Sequence, residues 1–150
     1  MRPIVFGGPP KAGKSTLLRK IYERYQFSVR IFLLEANPDG EGFWCHWGVK
    51  SSQQAVKKEL FNRFMEMMHH FIRYFFNLRR VGYTPLVSLG GKISAENAFF
   101  LSAVSQHAPI VVVLARNLDE QTLRWAHFAN EFADTIITAS TIWPLRYLNP

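Results

Sequence analysis

The chain contains 150 residues, of which 48% are hydrophobic and 19% are charged, and its formal net charge is +7. These values predict one globular domain over residues 1–150 and exclude a disordered chain. No apolar run is long enough to span a bilayer, no signal peptide is evident, and the single Cys45 excludes an internal disulfide, so we expect a cytoplasmic protein without a membrane partner.

Apolar periodicity divides the chain into alternating strands and helices. The predicted strands are residues 3–7, 29–35, 86–89, 110–115 and 135–139. The predicted helices are residues 14–25, 52–79, 95–106 and 119–132. Near-continuous apolar runs are typical of parallel strands that are buried on both faces. We therefore predict an α/β fold with a doubly wound, mostly parallel five-stranded sheet and helices on both faces.

A glycine-rich segment, Gly-Pro-Pro-Lys-Ala-Gly-Lys-Ser at residues 8–15, lies between the first predicted strand and the first predicted helix. This P-loop segment fits the pattern G-x-x-x-x-G-K-[ST], in which backbone N–H groups at a helix N-terminus surround a phosphate. We expect Lys14 to bind the β- and γ-phosphates of ATP with a catalytic role, and Ser15 to bind Mg²⁺. For Lys11, exposure to solvent is the simpler interpretation. The full set of predicted nucleotide contacts here is Gly8, Pro9, Pro10, Lys11, Ala12, Gly13, Lys14, Ser15 and Thr16.

Phosphoryl transfer also requires an acidic side chain to help hold Mg²⁺, usually at the end of a strand beside the P-loop strand. At that position, the end of the third predicted strand, this chain has the neutral Ser88. The best substitutes are Asp39 and Glu41 in the loop predicted over residues 36–48. We predict that both are catalytic and that Asp39 also assists the metal, although a Pro-Asp-Gly turn is the competing interpretation of Asp39. Glu35 is a weaker candidate, because it ends a strand that we expect to be buried.

Two more positions that follow predicted strands are candidates for nucleotide contact. Gly91 follows the third strand, and a glycine there permits the close approach of a γ-phosphate. Arg116 follows the fourth strand, and we expect it to contact the adenine base. Both could instead be ordinary strand-to-helix loop residues. No Asn-Lys-x-Asp sequence follows the fourth strand, which favours ATP over GTP.

The predicted helix over residues 52–79 is apolar on more than one face. The second apolar face consists of Phe61, Met65, Met68, Ile72 and Phe76. Such a helix needs more than one partner surface. We predict that it forms a homo-oligomer or partner-domain interface, with burial between the sheet and other helices as the alternative.

Several segments, in the same order and at compatible spacing, resemble one known family. They are residues 6–15, residues 37–44 with the sequence Asn-Pro-Asp-Gly-Glu-Gly-Phe-Trp, and residues 86–92 and 94–97. They are similar to the P-loop kinase-like (AAA) ATPase domain that is found fused to a CRISPR-associated ring nuclease in type III systems. The resemblance implies an ATP-binding domain in antiviral defence, whose ring nuclease partner, a domain or a separate protein, acts on cyclic oligoadenylate. The family has an acid where this chain has Ser88, which implies weakened hydrolysis.

We therefore expect an Mg-ATP-binding ATPase or kinase-like domain linked to cyclic-oligoadenylate signalling. Two alternatives stay open: a nucleoside or polynucleotide kinase with Asp39 as its base, and a nucleotide-binding regulatory or assembly module with little turnover. Basic side chains concentrate in residues 1–30 and 50–80, which fits a polyanionic partner such as nucleic acid or oligoadenylate. A solvated basic face explains the same distribution.

Overall fold

The computed structural model describes residues 1–36, 42–47, 50–55 and 64–140. The strands are β1 (Ile4–Gly7), β2 (Ile31–Ala36), β3 (Gly42–Trp47), β4 (Lys50–Ala55), β5 (Thr84–Ser88), β6 (Ile110–Ala115) and β7 (Thr135–Ser140). The α-helices are α1 (Lys14–Tyr25), α2 (Phe64–Arg80), α3 (Ala95–Val104) and α4 (Glu120–Asn130). A short 3-10 turn, Ser105–His107, follows α3.

The described strands form one seven-stranded sheet in the order β4-β3-β2-β5-β1-β6-β7. The strands β2, β5, β1, β6 and β7 are parallel, so the predicted α/β fold with a mostly parallel sheet is confirmed. The predicted count of five strands is wrong, because β3 and β4 extend the sheet beyond β2 with antiparallel pairing. The strand that leads into the P-loop segment, β1, lies between β5 and β6 in the interior of the sheet.

The antiparallel extension occupies a part of the chain for which we predicted a loop and the start of a helix. β3 pairs with β2 through Leu34 and Cys45, and both residues are fully buried. β4 has the sequence Lys-Ser-Ser-Gln-Gln-Ala and pairs with β3 at the end of the sheet. A polar edge strand lacks the apolar alternation by which strands are recognised. The helix predicted over residues 52–55 is therefore wrong, and the described part of that helix spans Phe64–Arg80.

Helices cover both faces of the sheet. On one face, α1 contributes Leu18 and Tyr22 to an apolar cluster with Phe6, Leu33 and Leu86 of the strands. On the other face, α2, α3 and α4 contribute to a larger core that includes Phe71, Phe75, Phe100, Leu101 and Trp125. Successive strand residues alternate between the two clusters, as the pleat of a doubly covered sheet requires. The carboxyl ends of the parallel strands and the N-terminus of α1 therefore meet at one edge of the sheet.

The apolar residues of α2 whose side chains the structure describes pack against the core of the domain. Phe71 and Phe75 are buried, and the rings of Phe71 and Phe100 lie 5.2 Å apart between α2 and α3. Ile72 and Phe76, on the second apolar face, are partly buried against the same core. Burial within the domain accounts for these residues, and the homo-oligomer interface stays a prediction. None of the helices in the described ranges combines the length and the apolarity that crossing a membrane would require.

Candidate phosphate-binding site

The P-loop segment connects β1 to α1 through glycines with left-handed backbone conformations. Gly8 has a φ of +124° and Gly13 has a φ of +84°, values that residues with a Cβ rarely adopt. A Cβ on Gly8 would lie 1.9 Å from the Leu114 carbonyl oxygen of β6. A Cβ on Gly13 would meet no heavy atom of the described residues within 4 Å. The loop is therefore packed tightly against the sheet at Gly8 and open at Gly13.

The N-terminus of α1 differs from the N-termini of α3 and α4. Its N-cap, Gly13, has no side chain to accept a hydrogen bond, and its first turn contains no acidic residue. The N-caps of α3 and α4 are Ser94 and Asp119, whose side chains accept hydrogen bonds from the backbone, and each of these helices has a glutamate in its first turn. The N–H groups and the positive end of the α1 dipole therefore favour an anion from outside the helix.

Lys14 lies inside the curve of the P-loop segment. Its Nζ donates hydrogen bonds to the carbonyl oxygens of Gly8, at 2.7 Å, and Pro9, at 2.9 Å, and the residue is 8% exposed. Burial lowers the pKa of Lys14 from 10.5 to about 8, because the charged form loses hydration that neutral carbonyl groups do not fully replace. A phosphate oxygen would offer this ammonium group the negative charge that carbonyl groups do not carry.

The other predicted phosphate contacts surround this lysine. Ala12 is buried and Pro9 is half-buried. Pro9 and Pro10 have no N–H group, so the backbone donors that follow them are those of residues 11–16. Ser15 is exposed and lies in the first turn of α1. The exposed members of the set are Pro10, Lys11, Gly13, Ser15 and Thr16.

The predicted γ-phosphate contact, Gly91, touches the P-loop segment. A Cβ on Gly91 would lie 2.5 Å from the Pro10 nitrogen, so the approach requires glycine. The indole N–H of Trp125 donates to the Gly91 carbonyl oxygen at 3.2 Å, and the Asn97 side chain donates to the Gly90 carbonyl oxygen at 3.0 Å. Hydrogen bonds from α3 and α4 thus hold the loop after β5 against the P-loop segment. The sequence contains no local signal for these two supporting side chains, and we did not predict them.

Arg116 lies at the same edge of the sheet. It is exposed and directly follows β6, the strand whose Leu114 carbonyl oxygen lies against Gly8. Its own carbonyl oxygen accepts a hydrogen bond from the Ser140 hydroxyl at 3.0 Å, which fixes the backbone at this point. A contact between the Arg116 side chain and an adenine base stays a prediction.

Ser88 and Glu35 are neighbours in the sheet, beside the P-loop strand. Ser88 pairs with Phe6 of β1 on one side and with Glu35 of β2 on the other. The side chains in this row point to the face that α1 covers, since Phe6 lies in the cluster under α1 and Glu35 binds Arg19 of α1. Ser88 is 3% exposed and Glu35 is 2% exposed. The usual position of the acid is occupied by Ser88 on β5, and an acid, Glu35, lies at the paired position on the next strand, β2.

Glu35 is a buried carboxylate with two basic partners. Arg19 Nε donates to Oε1 at 2.9 Å and to Oε2 at 3.3 Å, and His46 Nε2 lies 3.0 Å from Oε1. Burial by itself would raise the pKa of Glu35, but hydrogen bonds from His46 and Arg19, together with their charges, outweigh burial and lower the pKa below 4.5. Glu35 is therefore ionised at neutral pH. Its sequence signal is a glutamate in an otherwise apolar strand, and its burial agrees with the expectation for the end of that strand.

The remaining acidic candidates, Asp39 and Glu41, lie outside the described residues, and their catalytic and metal-binding roles stay predictions. Among the residues that the structure describes, no group of three or more His, Cys, Asp or Glu side chains is arranged to hold a metal ion. Mg²⁺ that binds together with a nucleotide commonly uses one or two protein oxygens, phosphate oxygens and water. Binding of Mg²⁺ by the hydroxyl of Ser15, a donor of this chemical type, stays a prediction.

Comparisons with protein-family models and with curated proteins identify no relative of this chain. No protein-family model matches the chain, and no curated protein matches it at a significant level. Function therefore has to be inferred from three features of the molecule: the loop around Lys14, the open N-terminus of α1, and the buried acid on β2.

Proposed function

We propose that the chain is a P-loop NTPase domain of the kinase-like type that binds Mg-ATP. The observation that carries the proposal is the enclosed ammonium of Lys14, which donates to the carbonyl oxygens of Gly8 and Pro9 beside the N-terminus of α1. That helix end has neither a capping side chain at Gly13 nor an acid in its first turn. Both features favour a phosphate ligand, and the carboxyl edge of a parallel sheet is where ligands of such folds commonly bind.

Each part of the site would act on a different part of the triphosphate. The N–H groups of residues 11–16 and the α1 dipole would hold the β-phosphate. Lys14 would exchange its two carbonyl partners for β- and γ-phosphate oxygens and stabilise the charge that develops during phosphoryl transfer. Ser15 would bind Mg²⁺, which neutralises phosphate charge when it is bound. Gly91, which packs closely against Pro10, would bring the loop after β5 near the γ-phosphate.

Ser88 favours slow turnover in this proposal. It is buried beside the P-loop strand, and a neutral hydroxyl attracts Mg²⁺ less strongly than a carboxylate does. We propose a weak ATPase or phosphotransferase, and the same residue supports the second candidate, a nucleotide-binding regulatory or assembly module. Transfer of labelled γ-phosphate to nucleosides or to RNA 5′-hydroxyl groups would identify a kinase, whereas phosphate release without an acceptor would identify an ATPase.

The biological partner is proposed from the family resemblance. We propose that this domain works with a ring nuclease that acts on cyclic oligoadenylate in type III CRISPR defence. Exposed basic residues on α1, including Lys20 and Arg24, fit a polyanionic partner. Co-purification with such a nuclease, and binding of labelled cyclic oligoadenylate to the isolated chain, would test the two parts of this proposal separately.

Binding of a nonhydrolysable ATP analogue in the presence of Mg²⁺ tests the central proposal. Lys14→Ala removes a charge-assisted contact with phosphate and should weaken binding about 10- to 100-fold. Lys20→Ala removes an exposed lysine from the same helix; as the matched control, it should change affinity by less than about twofold. Equal affinities of the Lys14→Ala variant and the parent chain would refute the assignment of the site.

A further inference from the structure

We propose that Glu35 accepts a hydrogen bond from a water molecule bound to the nucleotide-associated Mg²⁺. It would thereby replace the acidic side chain that is usual at the position of Ser88. This inference rests on the proposed function. It begins with two paired positions, since Ser88 of β5 and Glu35 of β2 are register partners and neighbouring strands lie about 4.8 Å apart. Glu35 is thus displaced from the usual position by one strand, on the same face of the sheet.

The contact with Arg19 locates the Glu35 carboxylate relative to the P-loop segment. Arg19 is four residues after Ser15, so the two residues lie on the same side of α1 with Cβ atoms about 6 Å apart. Helical side chains lean toward the helix N-terminus. The Arg19 guanidinium, with the carboxylate 2.9 Å from its Nε, is therefore directed toward the turn that carries Ser15. Glu35 lies near the end of α1 at which the metal is expected.

The carboxylate of Glu35 has the capacity for a further hydrogen bond. Its Oε1 takes the two short contacts, at 2.9 Å from Arg19 and at 3.0 Å from His46, while the contact between Arg19 and Oε2 is longer, at 3.3 Å. A carboxylate oxygen has two lone pairs, so Oε2 can accept a hydrogen bond from a metal-bound water. Arg19 and His46 both contact Oε1, so His46 still orients the carboxylate when Arg19 is replaced.

A purely structural ion pair between α1 and the strands would involve the same contacts, so two variants are needed to separate the roles. Glu35→Gln keeps the shape of the side chain and removes its charge. Arg19→Gln breaks the ion pair and keeps the carboxylate. A structural role predicts similar effects of both variants, whereas a metal role predicts that Glu35→Gln specifically loses the effect of Mg²⁺ on nucleotide binding.

The measurement is the affinity for a nonhydrolysable ATP analogue, determined by calorimetry in Mg²⁺ and in EDTA. In Glu35→Gln, the gain in affinity on addition of Mg²⁺ should fall about tenfold, as expected for one carboxylate that acts on a divalent cation across one water. The affinity in EDTA should change little. Arg19→Gln should keep most of the gain, because the carboxylate and its contact with His46 remain. Addition of Ser88→Asp to the Glu35→Gln variant should restore it, because that change introduces a carboxylate at the adjacent position.

Four results would overturn the proposal or its premise. An unchanged Mg²⁺-dependent gain in Glu35→Gln overturns it, and so does an equal loss in Glu35→Gln and Arg19→Gln. If circular dichroism shows that Glu35→Gln does not fold, Glu35→Asp keeps the charge and withdraws the oxygens by one methylene group. That variant should lose part of the gain, and full retention overturns the proposal. Failure of the parent chain to bind the analogue refutes the proposed function and this inference with it.

Discussion

Lys14 and Glu35 are both buried ionisable residues near the same edge of the sheet, but their surroundings differ. Lys14 donates to two neutral carbonyl groups, and burial lowers its pKa to about 8. Burial would raise the pKa of Glu35, but Arg19 and His46 outweigh it and lower that pKa. A lowered pKa disfavours the charged lysine and favours the charged glutamate. Lys14 is thus suited to receive an anion, whereas Glu35 already has a cationic partner in Arg19 and a further contact with His46.

A side chain at Gly8, where the P-loop segment packs against β6, should have the largest effect on stability and on nucleotide binding. Gly8→Ala introduces a Cβ 1.9 Å from the Leu114 carbonyl oxygen at a φ of +124°. We expect the free energy of unfolding to fall by about 3 kcal/mol or more and binding of the ATP analogue to be lost. Gly90→Ala is the control, because its Cβ would meet no described atom within 4 Å. Urea denaturation that finds equal stability for the two variants would contradict the close packing at Gly8.

The charge of Lys14 should have the next largest effect, and it depends on pH. The folded pKa of about 8 lies below the ordinary value of 10.5, so the unfolded chain binds this proton more tightly. Stability from this residue should therefore rise with pH between about 8 and 10.5. Relative to Lys14→Met, the parent chain should gain about 3 kcal/mol across this interval. Urea denaturation of both proteins at pH 7 and pH 10 measures it, and a difference independent of pH would be inconsistent with the buried ammonium.

Loss of the Glu35 charge should have a smaller effect on the free energy of unfolding, and this effect should change at acidic rather than at alkaline pH. Glu35→Gln should lower the free energy of unfolding at pH 7 by about 2 kcal/mol, because the charge-assisted hydrogen bonds are lost but Arg19 is half exposed. The folded pKa of Glu35 lies below 4.5, so the difference should be complete above that pH and disappear as pH falls through the folded pKa.

Glu120→Gln is the matched control for that measurement. Glu120 forms an ion pair with Arg124 in which both side chains are mostly exposed, and exposed pairs contribute little to stability. Urea denaturation at pH 7 should therefore show no loss for Glu120→Gln. Equal free energies of unfolding for Glu35→Gln and Glu120→Gln would indicate that the contacts of Glu35 stabilise the fold no more than an exposed ion pair does.

The parallel strands and α1 could be predicted because their signals are local. The apolar run at residues 110–115 coincides with β6, and the periodic segment at residues 14–25 coincides with α1. β4 could not be predicted, since its polar sequence becomes a strand through pairing with β3. Its conformation depends on a partner strand and an edge position, and neither is encoded in the residues of β4 themselves.

The same division applies to the candidate site. The motif over residues 8–15 defines the turn, the start of α1 and the position of Lys14, because hydrogen bonds within a turn and a helix join neighbours in the chain. Tertiary structure decides which distant residues make contacts at the site. The Leu114 carbonyl group packs against Gly8, the Trp125 indole donates to the Gly91 carbonyl oxygen, and Arg19 donates to Glu35. These contacts join distant segments and depend on the order β2-β5-β1-β6 in the sheet and on the packing of α1 and α4 against it. The strand order arises from the packing of the whole sheet, so a buried acid beside Ser88 becomes visible only in the folded molecule.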